Sequence, residues 1–268
     1  MNIASGSSGN ATYIGNDHTH ILTDTGISRK RITEGLRKLD LTLKDLTAIL
    51  ITHEHSDHIA SLDVVERAEP IPVYGTEGTI QVLDEKGKLP QEPELVHRIL
   101  AGETFSVGDI TVTPLPVSHD AREPVCYKLE DSKASCAVVT DLGEYSETLV
   151  RQLQGLSLLM LEANHDLRML ETGPYPYPLK RRIAGSRGHL SNEVSGRMLS
   201  RLLHDDMQQV ILGHLSQHNN YSELAKIAVE MEIEAWDNPY HASDFPIDVA
   251  DPRVGTAIYH FEGVKGVI

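Results

Sequence analysis

Apolar residues in this chain fall mostly into short runs bounded by polar ones. "ATYIG", then "NDH", then "THILTDTG" predicts strand, turn, strand. Ile32, Leu36 and Leu39 recur at helical spacing, predicting a helix over Arg29 to Leu39. "LTAILIT" reads as a buried strand, and "SLDVVERAE" as a helix ended by Pro70. "IPVYGT", "ITVTPLPVSH" and "SCAVVTD" predict strands, "SETLVRQLQGL" a helix and "LSLLMLEAN" another buried strand. Ser191 to Leu203 predicts a helix with Ser191 as N-cap and Val194, Met198 and Leu199 on one face. "QQVILGH" and "YSELAKIAVEM" follow as strand and helix. Strands alternating with helices, with hairpins at the start and middle, predict a layered α/β sandwich of two sheets with helices outside. With no repeat, low-complexity tract or linker, residues 1–268 read as a single domain.

Composition narrows the class. The chain has 268 residues, 40% of them hydrophobic and 24% charged, as in soluble globular proteins. No apolar run approaches the roughly 20 residues of a membrane helix. The opening "MNIASGSSGNATYIGND" lacks the basic and apolar segments of a signal peptide. Two cysteines, Cys126 and Cys136, make no disulfide framework and suit a reducing compartment, so a cytoplasmic location is expected. The net charge of -15 argues against a broad basic surface for nucleic acid. It leaves room for a nucleic-acid substrate at a site neutralised locally by basic side chains or cations.

The chemistry collects at strand ends. Predicted strands end at Asp24, His53, His119, Asp141 and His214, and "HEHSDH" over residues 53–58 packs three histidines and an aspartate together. A rigid strand end holds a ligand while a loop-lined cleft admits substrate. His53 and His55 alternate and can face one ion, with Asp57 and His58 turned to a second. Imidazole and carboxylate donors suit zinc, manganese or iron. Two ions roughly 3.5–4 Å apart activate a shared water as nucleophile.

With "THEHSDH" followed by His119, Asp141 and His214, the chain resembles the metallo-β-lactamase superfamily from Asp24 to His214. The resemblance implies a four-layer αβ/βα sandwich with the site at the sheet edges. It implies one metal on His53, His55 and His119, a second on Asp57, His58 and His214, and Asp141 bridging them. Asp24 would support the ligands by hydrogen bonding. "ASGSSGNATYI", "EANHD" at Glu162 to Asp166, "YPYPLKRRIAG", "RGHLSN" and "LGHLSQHNN" are similar to the YycJ/WalJ branch, related to ribonucleases Z and J. That branch implies exonuclease action on double-stranded DNA. "GHLSQHNN" departs from the threonine–histidine form common in ribonuclease Z, which counts against transfer-RNA processing.

Further residues are candidates around this centre. His189, in a "GHLS" context similar to ribonuclease Z, would protonate the leaving oxygen or stabilise phosphate charge, with Glu162 orienting it; otherwise it is a helix-start histidine. Asp57, His189 and Glu162 are thus the candidate catalytic side chains. "SGSSGN", with Ser7 and Asn10, is either a phosphate cradle or a turn. Lys180, Arg181, Arg182 and Arg187 either contact a nucleic-acid backbone or form a solvated helix end. His165, His218, His241 and His260 read as structural or exposed, and the cysteines as small core residues. The expected activity is a two-metal phosphodiesterase acting on nucleic acid, with DNA the expected partner and a DNA exonuclease the expected form. A small-molecule hydrolase, such as a cyclic phosphodiesterase or lactonase, is the alternative. A relict scaffold fits poorly, since every expected ligand is present.

Overall fold

The computed structural model describes residues 1–251 and 254–261 and divides into two compact units. The first comprises Met1–Pro116, Ala121–Val125 and described residues 254–259. Its strands are β1 (Asn2–Ala4), β2 (Ala11–Gly15), β3 (His20–Thr23), β4 (Ala48–Leu50), β5 (Val73–Thr76), β6 (Val96–Ile99), β7 (Phe105–Val107) and β8 (Ile110–Pro116). Its helices are α1 (Arg29–Arg37), α2 (Ser56–Ile59), α3 (Leu62–Glu66) and α4 (Glu77–Glu85). β1 to β6 form a mixed sheet in chain order, antiparallel through β3 and parallel from β3 to β6. β7 and β8 pair as an antiparallel hairpin. Leu22, Ile49, Ile51 and Val73 fill the core beside Ile32 and Leu36 of α1. These two α1 residues sit on the stripe expected from their spacing, and Ser28 caps that helix at the Arg31 amide.

The second unit comprises Val117–Asp120, Cys126–Asp251 and described residues 260–261. It carries β9 (Val125–Glu130, from Cys126 on), β10 (Ser135–Val139), β11 (Leu158–Glu162), β12 (Gln209–Gly213) and β13 (Ile247–Val249). Its helices are α5 (Glu147–Gln152), α6 (Leu167–Thr172), α7 (Tyr177–Ile183), α8 (Asn192–Ser200) and α9 (Ser222–Ala235). The strands order β13-β12-β11-β10-β9, parallel except for the β9–β10 pair. β11 and β12 are nearly all buried apolar residues, the pattern of strands covered on both faces. Ser191 caps α8 as expected, accepting from the Val194 amide at 3.3 Å. α8 packs on α9 at Gly196, where an added Cβ would lie 2.5 Å from Glu232.

The two sheets with flanking helices match the layered α/β class expected from the sequence. The pattern reading did not assign β1, α2, α4, β6, β7, β9, α6, α7 or β13; most of these span three to six residues, and α7 begins beside prolines. Cys126 is buried as expected and its thiol is pushed up to about 12 by burial, whereas Cys136 is only partly buried. His165 is buried and burial pushes its imidazole down to about 4, while His218, His241 and His260 are exposed. No described helix is long and apolar enough to cross a membrane.

One core carboxylate makes stability depend on pH. Glu66 of α3 is buried and accepts from the Ile71 amide at 3.2 Å. Burial, with a smaller push from Glu92, raises its carboxyl to about 7 despite that hydrogen bond. The folded chain therefore holds this proton more tightly than the unfolded one. The stability so gained is full below the unfolded value of about 4.3 and is lost as pH rises through about 7. Glu66→Gln keeps an acceptor for Ile71 and cannot ionise. Thermal melts should show it more stable than the parent at pH 8 with the gain gone near pH 4.5; a pH-independent difference would refute this.

Candidate metal centre

Each unit holds its own set of donors. In the first, β3 ends at Thr23 and the chain turns at Asp24, whose φ is 61°. The Asp24 amide donates to Leu50 O at 2.9 Å, which fixes the carboxylate beside the end of β4. Asp24 Oδ1 accepts from the Thr52 amide at 2.9 Å, and Oδ2 lies 2.8 Å from His58 Nδ1. A carboxylate only accepts, so His58 carries its proton on Nδ1 and presents Nε2 as the lone-pair nitrogen. The Thr52 hydroxyl reaches Asp24 Oδ2 at 2.9 Å and lies 3.1 Å from His53 Nδ1. Donating to the acid, it can accept from His53, giving His53 the same tautomer. The rings of His53 and His58 lie 4.1 Å apart, and those of His53 and His55 meet edge to face at 4.6 Å. His55 starts α2, and Asp57 in its first turn stays partly exposed, with Oδ2 3.7 Å from His58 Nε2. Asp24 thus occupies the supporting position expected of it.

The "SGSSGN" loop closes against this motif. Asn10 N donates to Asp57 O at 2.8 Å and Gly26 N to Asn10 O at 2.8 Å. A Cβ on Gly26 would stand 1.6 Å from Asp57 O, so only glycine permits the approach. Asn10 Oδ1 accepts from Gly6 N at 2.9 Å, which directs its amide nitrogen to His58 Nε2 at 3.0 Å. Coordination of an ion by that nitrogen would replace this hydrogen bond. The amides of Gly6, Gly9 and Asn10 are engaged within unit 1, and Ser7 is exposed.

In the second unit the organising group is Glu162, at the end of β11 and fully buried. Its Oε1 accepts from the Leu190 amide at 2.9 Å and lies 3.1 Å from His189 Nδ1. Its Oε2 accepts from the Asp141 amide and lies 3.4 Å from His214 Nδ1. Burial alone would raise this carboxyl; the charges and hydrogen bonds of His189 and His214 outweigh it and hold the group well below the usual carboxylate range. Burial likewise works to lower His189, and Glu162 outweighs it, raising the imidazole above its ordinary value. His214 Nε2 is 3.4 Å from Asp141 Oδ1. Asp141, Glu162, His189 and His214 each bring a donor atom within 4.8 Å of the others, a set of imidazole and carboxylate groups suited to a divalent metal.

His119 is held by a strap from residues 182–188. Its Nδ1 donates to Gly188 O at 3.1 Å, leaving Nε2 as the acceptor nitrogen. A Cβ on Gly188 would meet the carbonyls of Arg182 and Ile183 at 2.2 Å, so the strap closes only with glycine there. Arg187 Nε donates to His119 O at 3.1 Å, Ser118 Oγ to Ser186 O at 2.8 Å, and Arg182 Nε to Asp120 Oδ2 at 2.5 Å. Two of the four basic residues expected either to contact a nucleic-acid backbone or to form a solvated helix end therefore brace His119 and its neighbour Asp120. Lys180 donates to Glu171 O at 2.7 Å, and Arg181 is exposed in the last turn of α7. The pattern reading missed Thr52, Asp120 and Asn164, whose amide donates to His214 O at 2.9 Å. Adjacency to His53, His119 and "EANHD" was the available signal.

The motif series and the fold define a class. The β-lactamase superfamily domain matches residues 19–244, and the chain belongs to that superfamily. It is 35% identical over 260 residues to exodeoxyribonuclease YycJ of Bacillus anthracis, covering 96% of this chain and 97% of the relative. It is 37% identical over 234 residues to exodeoxyribonuclease WalJ of Streptococcus pneumoniae strain D39, covering 86% of each. The likeness to the YycJ/WalJ branch is thus borne out. The metallo-β-lactamase fold protein YhfI from Bacillus subtilis superposes with a TM-score of 0.71 at 16% identity, over 94% of this chain and 95% of that one. That likeness bears out the expected fold.

Asp24, Asp141 and His214 all have φ between 56° and 61°, a conformation costly to any residue with a Cβ. At His214, alanine removes the imidazole and keeps the strain, whereas glycine removes both. In metal-free denaturant titrations His214→Gly should be more stable than His214→Ala by about 1 kcal/mol. Equal stabilities would show that the turn carries no strain.

Proposed function

We propose that this protein is a metal-dependent phosphodiesterase that degrades DNA as an exonuclease. The observation carrying the reading is identity of 35–37% over most of the chain to two exodeoxyribonucleases. The donor chemistry of both units supports it. We assign one ion to His53, His55 and His119 and a second to Asp57, His58 and His214, with Asp141 shared, in the order of the motifs. When bound, such ions supply Lewis acidity that activates water and neutralises phosphate charge. Zinc, manganese and iron all suit these donors. We also read 1–268 as one domain, supported by the family match through both units, and we place it in the cytoplasm, supported by its free cysteines.

The protein's own groups do the remaining work. Asp24, Thr52 and Gly188 set the imidazole tautomers, so the donor nitrogens are presented without a proton, and the Asn10 bond to His58 Nε2 would give way to an ion. We read His189, whose imidazole Glu162 holds above its ordinary value, as the donor of a proton to the leaving oxygen. Glu162 is fully buried and touches no substrate, so its contribution is to position His189 and His214. Asp57 is a ligand with a partly exposed carboxylate facing the same chemistry.

The test is degradation of labelled duplex DNA, compared with RNA and cyclic nucleotides, by protein stripped of metal and then reloaded. Loss and return of DNA degradation supports the reading. Turnover of cyclic nucleotides or lactones alone would move it to the small-molecule hydrolase that the net charge of -15 favours. In the same assay His189→Ala should keep its metal and lose roughly 10²–10⁴ in turnover, the range of a general acid; parent rates in that variant would remove His189 from the mechanism.

The strap separates the basic residues into two groups. Replacing Lys180 and Arg181 with alanine should weaken DNA binding and flatten its salt dependence, since fewer counterions are released. Hydrolysis of bis-p-nitrophenyl phosphate should be unchanged. Arg187→Ala should lower hydrolysis of both substrates and weaken metal binding, because it frees the His119 backbone. Equal losses in the two variants would contradict this division.

A further inference from the structure

A surface of the second unit has no part in either donor set. α6 and α7 form a hairpin between Glu162 and His189, closed by the bond from Lys180 to the Glu171 carbonyl. The loop after His214 comes to the same place. Asp166 N donates to Asn219 O at 2.9 Å, and a Cβ on Gly173 would lie 2.8 Å from Asn219 Oδ1. There the Tyr175 ring meets His218 edge to face at 5.6 Å. Tyr177 is 71% exposed and Tyr221, at the end of the same loop, 54% exposed. Four aromatic rings thus gather on two adjoining segments, and neither tyrosine with the larger exposure serves the core.

The charge of this region opposes that of the chain. Between Leu167 and His189 stand five basic residues and one acidic one, Glu171, in a protein of net charge -15. Arg182 and Arg187 brace the His119 loop, but Arg168, Lys180 and Arg181 lie on the hairpin itself. Flat apolar rings beside cations suit a ligand with both π-faces and phosphates. Base faces are hidden in a duplex and open in an unpaired strand. His218 follows His214 by four residues, so its Cα lies within about 14 Å of that of the ligand histidine. At about 3.4 Å per nucleotide along a strand, that is within roughly four nucleotides of a phosphate at His214.

We propose that Tyr175, Tyr177, His218 and Tyr221 form a stacking platform for the unpaired bases of a DNA strand end, delivering the strand to the metal centre. The proposal rests on the exonuclease reading given above. The platform grips bases by their faces, so it is indifferent to sequence, and it makes a frayed or tailed end the preferred substrate over a blunt one.

The experiment uses a duplex with a short single-stranded tail, phosphorothioate-linked to slow cleavage, carrying 2-aminopurine in the tail. Binding of the metal-loaded parent should quench the 2-aminopurine fluorescence and should be tighter than binding to the blunt duplex. The Tyr177→Ala/Tyr221→Ala double variant should lose the quenching and raise Kd for the tailed duplex by roughly 10- to 100-fold, as expected for lost base–aromatic stacking. The Tyr177→Phe/Tyr221→Phe variant should behave like the parent, because the ring is retained. Both should hydrolyse bis-p-nitrophenyl phosphate at the parent rate, which also reports that they fold. Tailed-duplex binding by the parent without quenching, or an unchanged Kd in the alanine variant, would overturn the platform and leave the exonuclease reading intact. A parent that neither binds nor degrades any DNA would overturn that reading instead.

Discussion

A fully buried carboxylate is tolerated only when donors surround it, and Glu162 meets that condition with the donor groups of its own unit. Two are backbone amides, of Asp141 and Leu190, and two are the imidazoles of His189 and His214. The acid therefore fixes where the chain leaves β10, where it enters the segment before α8, and how two rings are turned. Its own backbone is held in return, since Ser195 of α8 donates to the Glu162 carbonyl. Loss of the charge would loosen three loops at once. Asp24 plays the corresponding part in the first unit, gathering Thr52 and His58 onto one carboxylate.

In both units the logic is a rigid strand, an abrupt turn at its end and an acid that accepts from an imidazole. Second contacts of this kind hold a ligand ring at the angle and tautomer the ion needs. The strap over 182–188 adds a different device. There the arginines act on backbone carbonyl and carboxylate groups and lend stiffness more than charge. The basic character that a reader of the sequence counts toward a phosphate is thus partly spent on holding His119.

Much of this was legible in the sequence. The buried strands and their terminal donors follow from apolar runs that stop at Asp24, His53, His119, Asp141 and His214, because a buried run is easily seen and a histidine after it is conspicuous. The helix at Ser191 was legible for the same local reason, a capping hydroxyl before a periodic stretch. α7 was not, because "YPLKRRI" offers only Leu179 and Ile183 at helical spacing and starts between two prolines. The roles of Arg182 and Arg187 were hidden because their partners lie more than sixty residues away in the chain. Asn10 lies in a loop whose composition suits either a phosphate cradle or a turn, and its reach to His58 spans 48 residues. Contacts between distant segments leave no trace in a local pattern.

The turn at the strand ends also acts as a filter on residue identity. Outside glycine, the side chains that best tolerate φ near 60° are asparagine, aspartate and histidine. Two of these three are also good metal donors. A backbone that ends its strands in this turn therefore restricts Asp24, Asp141 and His214 to a short vocabulary that already contains metal-type donors. On such a scaffold, a donor can be gained or exchanged by a single substitution without rebuilding the loop, so the geometry of the turn helps make the site chemically adaptable.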